Sequence, residues 1–219
     1  MNSNSPQLIA ITGGIGSGKS VVCRILETMS YQVYDCDSRA KMIMDSSDSI
    51  KGRIANEVSE DAIVASENGL IIDRRRLAEV VFNDSEKLKQ LNSIVHNAVK
   101  ADILRWHNLM AHKRRAPKVL FVETAILYES GLDRIVNQIW VVNAPIETRI
   151  KRAMRRDNAQ REQIEARIKN QNTEFLCATS GNAAGVLLQK ENVTPTIVEI
   201  VNDDSLPLLP QITSLLRCV

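Results

Sequence analysis

Apolar residues in this chain gather into short runs, separated by longer stretches where they recur every three or four positions. Gln7 to Thr12 (QLIAIT) reads as a short buried strand, and Lys19 to Met29 as the amphipathic helix that follows it. Gln32 to Tyr34 is a second short strand, ending in Asp35. From Asp37 to about Ala116 the pattern predicts helix. Leu88, Leu91, Val95 and Ala98 mark one buried face of a long helix, and the polar tract SENG, ending at Gly69, breaks the region into at least two helical parts. Strand character returns at Lys118 to Val122 and at Gln138 to Val142. A charged helix then runs from Glu147 to Arg156, with a polar break at Asp157 to Gln160 and another helix from Arg161. Thr196 to Val201 is the last strand, NDDSLP a turn with proline where a helix begins, and residues to about Leu216 close the chain.

Short apolar strands alternating with helices predict an α/β fold built on a parallel sheet covered on both faces. The helical stretch between the second and third strands is too long for a simple crossover. It predicts an inserted subdomain at 37–116, with 1–36 and 117–219 forming the core around it.

The 219 residues suffice for one well-buried core and an insertion. Lys and Arg number 28 against 26 Asp and Glu, a net charge of +2 that leaves no broad basic footprint for nucleic acid or an anionic membrane. No apolar run approaches spanning length. The four cysteines (Cys23, Cys36, Cys177, Cys218) lack metal-ligand spacing and read as free thiols of a reducing compartment. MNSNSPQ has no cationic and apolar signal regions, so the expectation is a cytoplasmic protein.

ITGGIGSGKS changes this bland picture. Gly13, Gly18, Lys19 and Ser20 satisfy G-x-x-x-x-G-K-[ST] between a strand and a helix. The glycines let backbone N–H groups converge on phosphate oxygens. Lys19 would reach the β- and γ-phosphates, the Ser20 hydroxyl would ligate Mg²⁺, and the helix start adds its positive dipole end.

The phosphate's destination rests on three further features. D-x-x-G and N-K-x-D, the marks of guanine-nucleotide switches, are absent from the sequence. Asp35, in VYDCDSRAK, falls at a strand end where ligands of open α/β sheets gather. It would accept the proton of an attacking hydroxyl, or it would cap the next helix, a task that suits Asp37 better. Glu123 ends the KVLFV run, as a Mg²⁺-water partner or as an ordinary polar strand end. Arg149, Arg152 and Arg156 share a helical face, with Arg161 beyond the break. They form a lid over ATP at about 149–170 or a solvated charged face. Together these features favour transfer to an acceptor over hydrolysis. Other P-loop nucleotide or small-metabolite kinases, and an ATP-binding regulator, are the competing readings.

With TGGIGSGKS, VYDCDSRAK, DRRRLAEVVF, a long helix carrying His96, AILYESGL, WVVNAPIETRIKRAMRRD and a late strand running into VNDD in this order, the chain resembles the dephospho-CoA kinase family over nearly its whole length. The resemblance implies a P-loop core of five parallel strands flanked by helices, a helical substrate-binding insertion and an arginine lid. It also implies ATP-dependent phosphorylation of the ribose 3′-hydroxyl of dephospho-CoA, giving CoA and ADP in the last step of CoA synthesis. By position it makes Asp35 the general base, with Lys19 at the phosphates. The nucleotide run is Gly13, Gly14, Ile15, Gly16, Ser17, Gly18, Lys19, Ser20 and Val21. Substrate contacts fall at Lys41, Arg74, His96 and Glu129. The expected partners are Mg²⁺, ATP and dephospho-CoA, with the chain a monomer or weak homo-oligomer. Departures from the family pattern are Asn97 in place of a proline after the histidine, Ala125-Ile126-Leu127 in place of Pro-Leu-Leu, Val21 in place of a threonine, and Lys41 in place of an arginine.

Overall fold

The structure is a computed structural model that describes residues 5–67, 69–171 and 195–219. It divides into two compact units. The first comprises the chain up to Tyr34 and from Leu109 onward, and the second Asp35–Asn108.

A five-stranded parallel sheet organises the first unit. Its strands are β1 (Gln7–Thr12), β2 (Gln32–Asp35), β5 (Val119–Glu123), β6 (Gln138–Asn143) and β7 (Thr196–Val201), in the order β2-β5-β1-β6-β7. Register pairs Ile11 with Glu123 on one side of β1 and Thr12 with Val141 on the other. The central strands read as continuous apolar runs because both of their faces are covered. Alternate residues serve opposite sides. Ile9, Ile11, Phe121, Trp140 and Val142 enter one core with Val22, Cys23 and Leu26 of α1 (Lys19–Thr28) and Ile212 of the C-terminal helix α8 (Leu208–Leu216). Phe121 anchors this layer, meeting Trp140 at a ring separation of 5.1 Å and Tyr31 edge-on at 5.6 Å. Helices α6 (Ile146–Asp157) and α7 (Arg161–Lys169) form a hairpin around Ile150, Ala153 and Ile164. Asn158, at φ 48°, ends α6 in the left-handed conformation that stops a helix.

The second unit holds α2 (Cys36–Ser46), α3 (Asp48–Glu57), α4 (Arg74–Asn83) and most of α5 (Ser85–Ala111). Short polar residues cut it into pieces. Asp35, Ser47 and Asp73 cap α2, α3 and α4 by accepting backbone N–H groups of the first turn. Asp84 accepts from Glu86 and Lys87 at the head of α5.

Two expectations need correcting here. The region is not helical throughout, because β3 (Ile63–Ser66) and β4 (Gly69–Ile72) pair antiparallel as a hairpin. Ser66 and Gly69 pair at its end, where the sequence pattern predicted only a helix break. The buried face of α5 is Ile94, Val99 and Ile103, with Leu91 packed at the edge of the core and Leu88 41 % exposed. The stripe is therefore rotated away from the predicted Leu88–Ala98 line.

Candidate active site

The loop between β1 and α1 turns sharply enough to need glycine. Gly16 lies at φ 76° and Gly18 at φ 98°, left-handed conformations that a side chain would strain. Space is equally restrictive: a Cβ on Gly16 would strike the backbone carbonyl of Arg149, and one on Gly18 the side-chain amide of Asn202. The loop folds against both residues.

The polar contacts of the loop follow a pattern. Lys19 Nζ donates to the Gly13 carbonyl at 2.8 Å, and Ser17 N donates to the Gly14 carbonyl at 3.1 Å. Arg149 Nε donates to the Ile15 carbonyl at 3.0 Å, and Asn202 Nδ2 to the Ser17 carbonyl at 2.8 Å. Ile15 N donates to Gln171 Oε1 at 2.8 Å, while the Ile15 side chain packs against the α6–α7 core. Ser17 is buried, and its hydroxyl makes no hydrogen bond within the described residues. Gly13 and Gly14 are buried, whereas Ser20 and Val21 face outward on the first turn of α1.

Glu123 is half-buried at the end of β5, one strand from the loop. It accepts a hydrogen bond from the Cys23 thiol, inside α1. Burial, then the nearby Glu123 charge and that bond, push the Cys23 pKa far above the ordinary thiol range. Glu129 is exposed.

The four arginines singled out in the charged hairpin do different things. Arg149 is 8 % exposed and lies under the glycine loop, so the shared face is not evenly solvated. Arg152 donates to the Asn202 carbonyl and to Asp204, each at 3.0 Å. Arg156 is held by Asp157, which also takes Arg167. Arg161 grips Glu147 with two nitrogens and Glu165 with a third. The Arg161–Glu147 and Arg167–Asp157 pairs stitch α6 to α7.

In the second unit Asp35 is the helix cap, where the sequence pattern favoured Asp37. Its Oδ1 accepts from the N–H of Asp37 at 2.9 Å and of Ser38 at 3.1 Å, and its Oδ2 accepts the Ser38 hydroxyl at 2.6 Å. Strand-end geometry makes the carboxylate precede the helix by one position, so Asp35 rather than Asp37 meets the free N–H groups. Lys41 is exposed, Arg74 is paired with Asp45 at 2.7 Å, and His96 is half-buried on α5. Sequence reasoning missed Arg39, whose guanidinium meets Asp102 at 2.6 Å, and Asn202, whose only signal was its place in VNDD after the last strand.

A parallel sheet with a glycine loop and Lys19 at the head of α1 is the core of the P-loop nucleotide-binding proteins. The dephospho-CoA kinase family model matches residues 7–189. A dephospho-CoA kinase of Porphyromonas gingivalis is 38% identical over 194 residues, covering 88% of this chain and 92% of that one. One of Bacteroides fragilis is 36% identical over 208 residues, covering 95% and 90%. A solved structure from Thermus thermophilus superposes with a TM-score of 0.73 at 28% identity, over 98% of this chain and 97% of that one. A dephospho-CoA kinase structure from Campylobacter jejuni shares the fold, with a TM-score of 0.61 at 23% identity over 96% and 95%. The chain belongs to the dephospho-CoA kinase family.

Proposed function

We propose that the protein transfers the γ-phosphoryl group of ATP to the ribose 3′-hydroxyl of dephospho-CoA, giving CoA and ADP in the cytoplasm. The observation that carries this reading is a glycine loop with Lys19 at its helix, in a chain of this family. In the transfer, the acceptor oxygen forms a bond to the γ-phosphorus while the bond from that phosphorus to the bridging oxygen breaks. The acceptor proton passes to the Asp35 carboxylate, and the β-phosphate leaves with the electron pair.

Each residue has a task in that step. The loop amides and Lys19 hold the β- and γ-phosphates and spread their charge. The cap bonds fix the orientation of the Asp35 side chain. Lys41, Arg74, His96 and Glu129 serve the acceptor. Among the described residues, exposed Arg156 and partly exposed Arg161 pair with carboxylates of their own hairpin. Solvent screens such pairs, so exchanging one for a phosphate costs little.

The Ser20 hydroxyl and the Glu123 carboxylate are hard oxygen donors flanking the loop, which suits Mg²⁺. Among the described residues no cluster of three or more His, Cys, Asp or Glu could hold a metal alone, which fits an ion carried mainly by nucleotide phosphates and water. Ser20 would ligate Mg²⁺ and Glu123 would hold it through water, and the bound ion would supply neutralisation of phosphate charge.

The test is ADP release from Mg·ATP with dephospho-CoA, nucleoside monophosphates, shikimate or gluconate as acceptor. Dephospho-CoA alone should stimulate it strongly. Equal stimulation by another acceptor, or acceptor-independent release, contradicts the proposal.

A further inference from the structure

A trans peptide points its carbonyl and the following N–H in opposite directions. A side chain that grips a loop carbonyl therefore also aims the next residue's N–H. Besides Lys19 on the Gly13 carbonyl, two such grips occur in the glycine loop among the described residues, both from side chains far along the chain. Arg149 holds the Ile15 carbonyl, which aims the N–H of Gly16, and Asn202 holds the Ser17 carbonyl, which aims the N–H of Gly18. Both aimed N–H groups belong to glycines in left-handed conformations. Without the grips these peptides would be the freest to flip.

The fit around the grips is close. A Cβ on Gly14 would land on the Arg149 guanidinium, so the loop rests directly on that side chain. Ile15 is also fixed by its own side chain in the α6–α7 core and by its N–H on Gln171. Asn202 is held in turn: its N–H donates to the Asn143 carbonyl at 2.8 Å, and its carbonyl accepts Arg152 Nη1 at 3.0 Å.

We propose that Arg149 and Asn202 are positioning residues of the nucleotide site. They preset the Ile15–Gly16 and Ser17–Gly18 peptides so that both glycine N–H groups face the β-phosphate before nucleotide arrives. Arg149 acts through the loop and is not one of the arginines that close on the transferring phosphate. Preorganised donors strengthen anion binding because no reorientation remains to be done on binding. The inference rests on the nucleotide site proposed above.

The experiment measures ADP, ATP and AMP affinity by calorimetry, together with melting temperature, for wild type, Arg149→Met, Arg149→Gln and Asn202→Ala. Arg149→Met and Asn202→Ala should each weaken ADP and ATP by roughly ten- to a hundredfold, the worth of a hydrogen bond involving a charged partner. AMP lacks a β-phosphate and should bind almost as before. Arg149→Gln keeps a donor without the charge and should recover most of the loss. Four outcomes overturn the inference. They are a lower melting temperature with unchanged affinities, a fall in kcat with ADP affinity intact, a Gln variant as poor as the Met variant, and equal losses for AMP. Should Arg149→Met fail to fold, Asn202→Ala carries the test independently. A wild type that binds neither ADP nor ATP overturns the nucleotide site itself.

Discussion

The ammonium of Lys19 is tied to the carbonyl of Gly13, six residues earlier, at 2.8 Å. The only cation on the loop's own sequence is thus folded back over the turn rather than extended into solvent. In the proposed nucleotide site, that contact holds the charge over the glycine loop. Lys19→Met removes the charge while keeping much of the aliphatic stem. It should lower kcat/KM for ATP by ~10² to 10³, with nucleotide affinity and turnover falling together. Steady-state kinetics and ADP titration read both. Normal affinity with lost turnover would restrict Lys19 to the chemical step.

Asp35 caps a helix in the structure and is the proposed base, and the two roles are separable. As a helix cap it accepts two N–H groups, and asparagine caps about as well. As a base it needs its carboxylate. Asp35→Asn should therefore keep nearly the wild-type melting temperature and ATP affinity while turnover falls by ~10² to 10⁴. Asp35→Ala should lose about 1 kcal/mol of stability in addition. Near-normal turnover in Asp35→Asn refutes the base assignment, and a large fall in melting temperature refutes the separation.

The loop was legible in the sequence because phosphate cradling needs its glycines, lysine and serine next to one another in the chain. The strand end at Asp35 was legible because it is a local feature, but its capping contact was not, since the sequence pattern favoured Asp37 for that task. The β3–β4 hairpin was not, since IVAS and GLII are each four residues long and too short for period two to stand out. The Asn-Gly dipeptide within SENG was the available sequence signal. Along α5, Leu88 and Ile94 are equally apolar, and only the neighbouring α3 and hairpin decide which of them is buried. Arg149 and Asn202 meet the loop across 134 and 185 residues, respectively. Within a run of charged residues Arg149 looks solvated; its burial comes with the Ile15 carbonyl that it meets.

Cys23 offers a chemical check on the layer behind the loop. It is 4 % exposed, and burial together with Glu123 disfavours its thiolate, the reactive form. Iodoacetamide at pH 8 should leave Cys23 unmodified in the folded protein and alkylate exposed Cys218. Peptide mass spectrometry with and without urea distinguishes them. Rapid labelling of Cys23 without urea contradicts the packing.

The α6–α7 hairpin carries a pH signature. Hydrogen bonds from Arg156 and Arg167 hold the Asp157 pKa well below the usual carboxylate range. A depressed pKa contributes stability that is fully present above the unfolded value of about 3.9 and is lost as pH falls through the folded one. Asp157→Asn should thus lower the melting temperature slightly at pH 7 and by a similar amount at pH 5. The gap should close only below about pH 4. Because both arginines are more than half exposed, solvent screening keeps the effect below about 1 kcal/mol. A gap that closes between pH 7 and 5 would contradict this origin.

The most direct measurement is the mass and phosphorus spectrum of the acceptor after reaction with Mg·ATP. The account predicts that dephospho-CoA gains one phosphoryl group on its ribose 3′-oxygen, in step with the ADP formed. ADP accumulating while the acceptor's mass stays unchanged, or a phosphate placed on another oxygen, would contradict it.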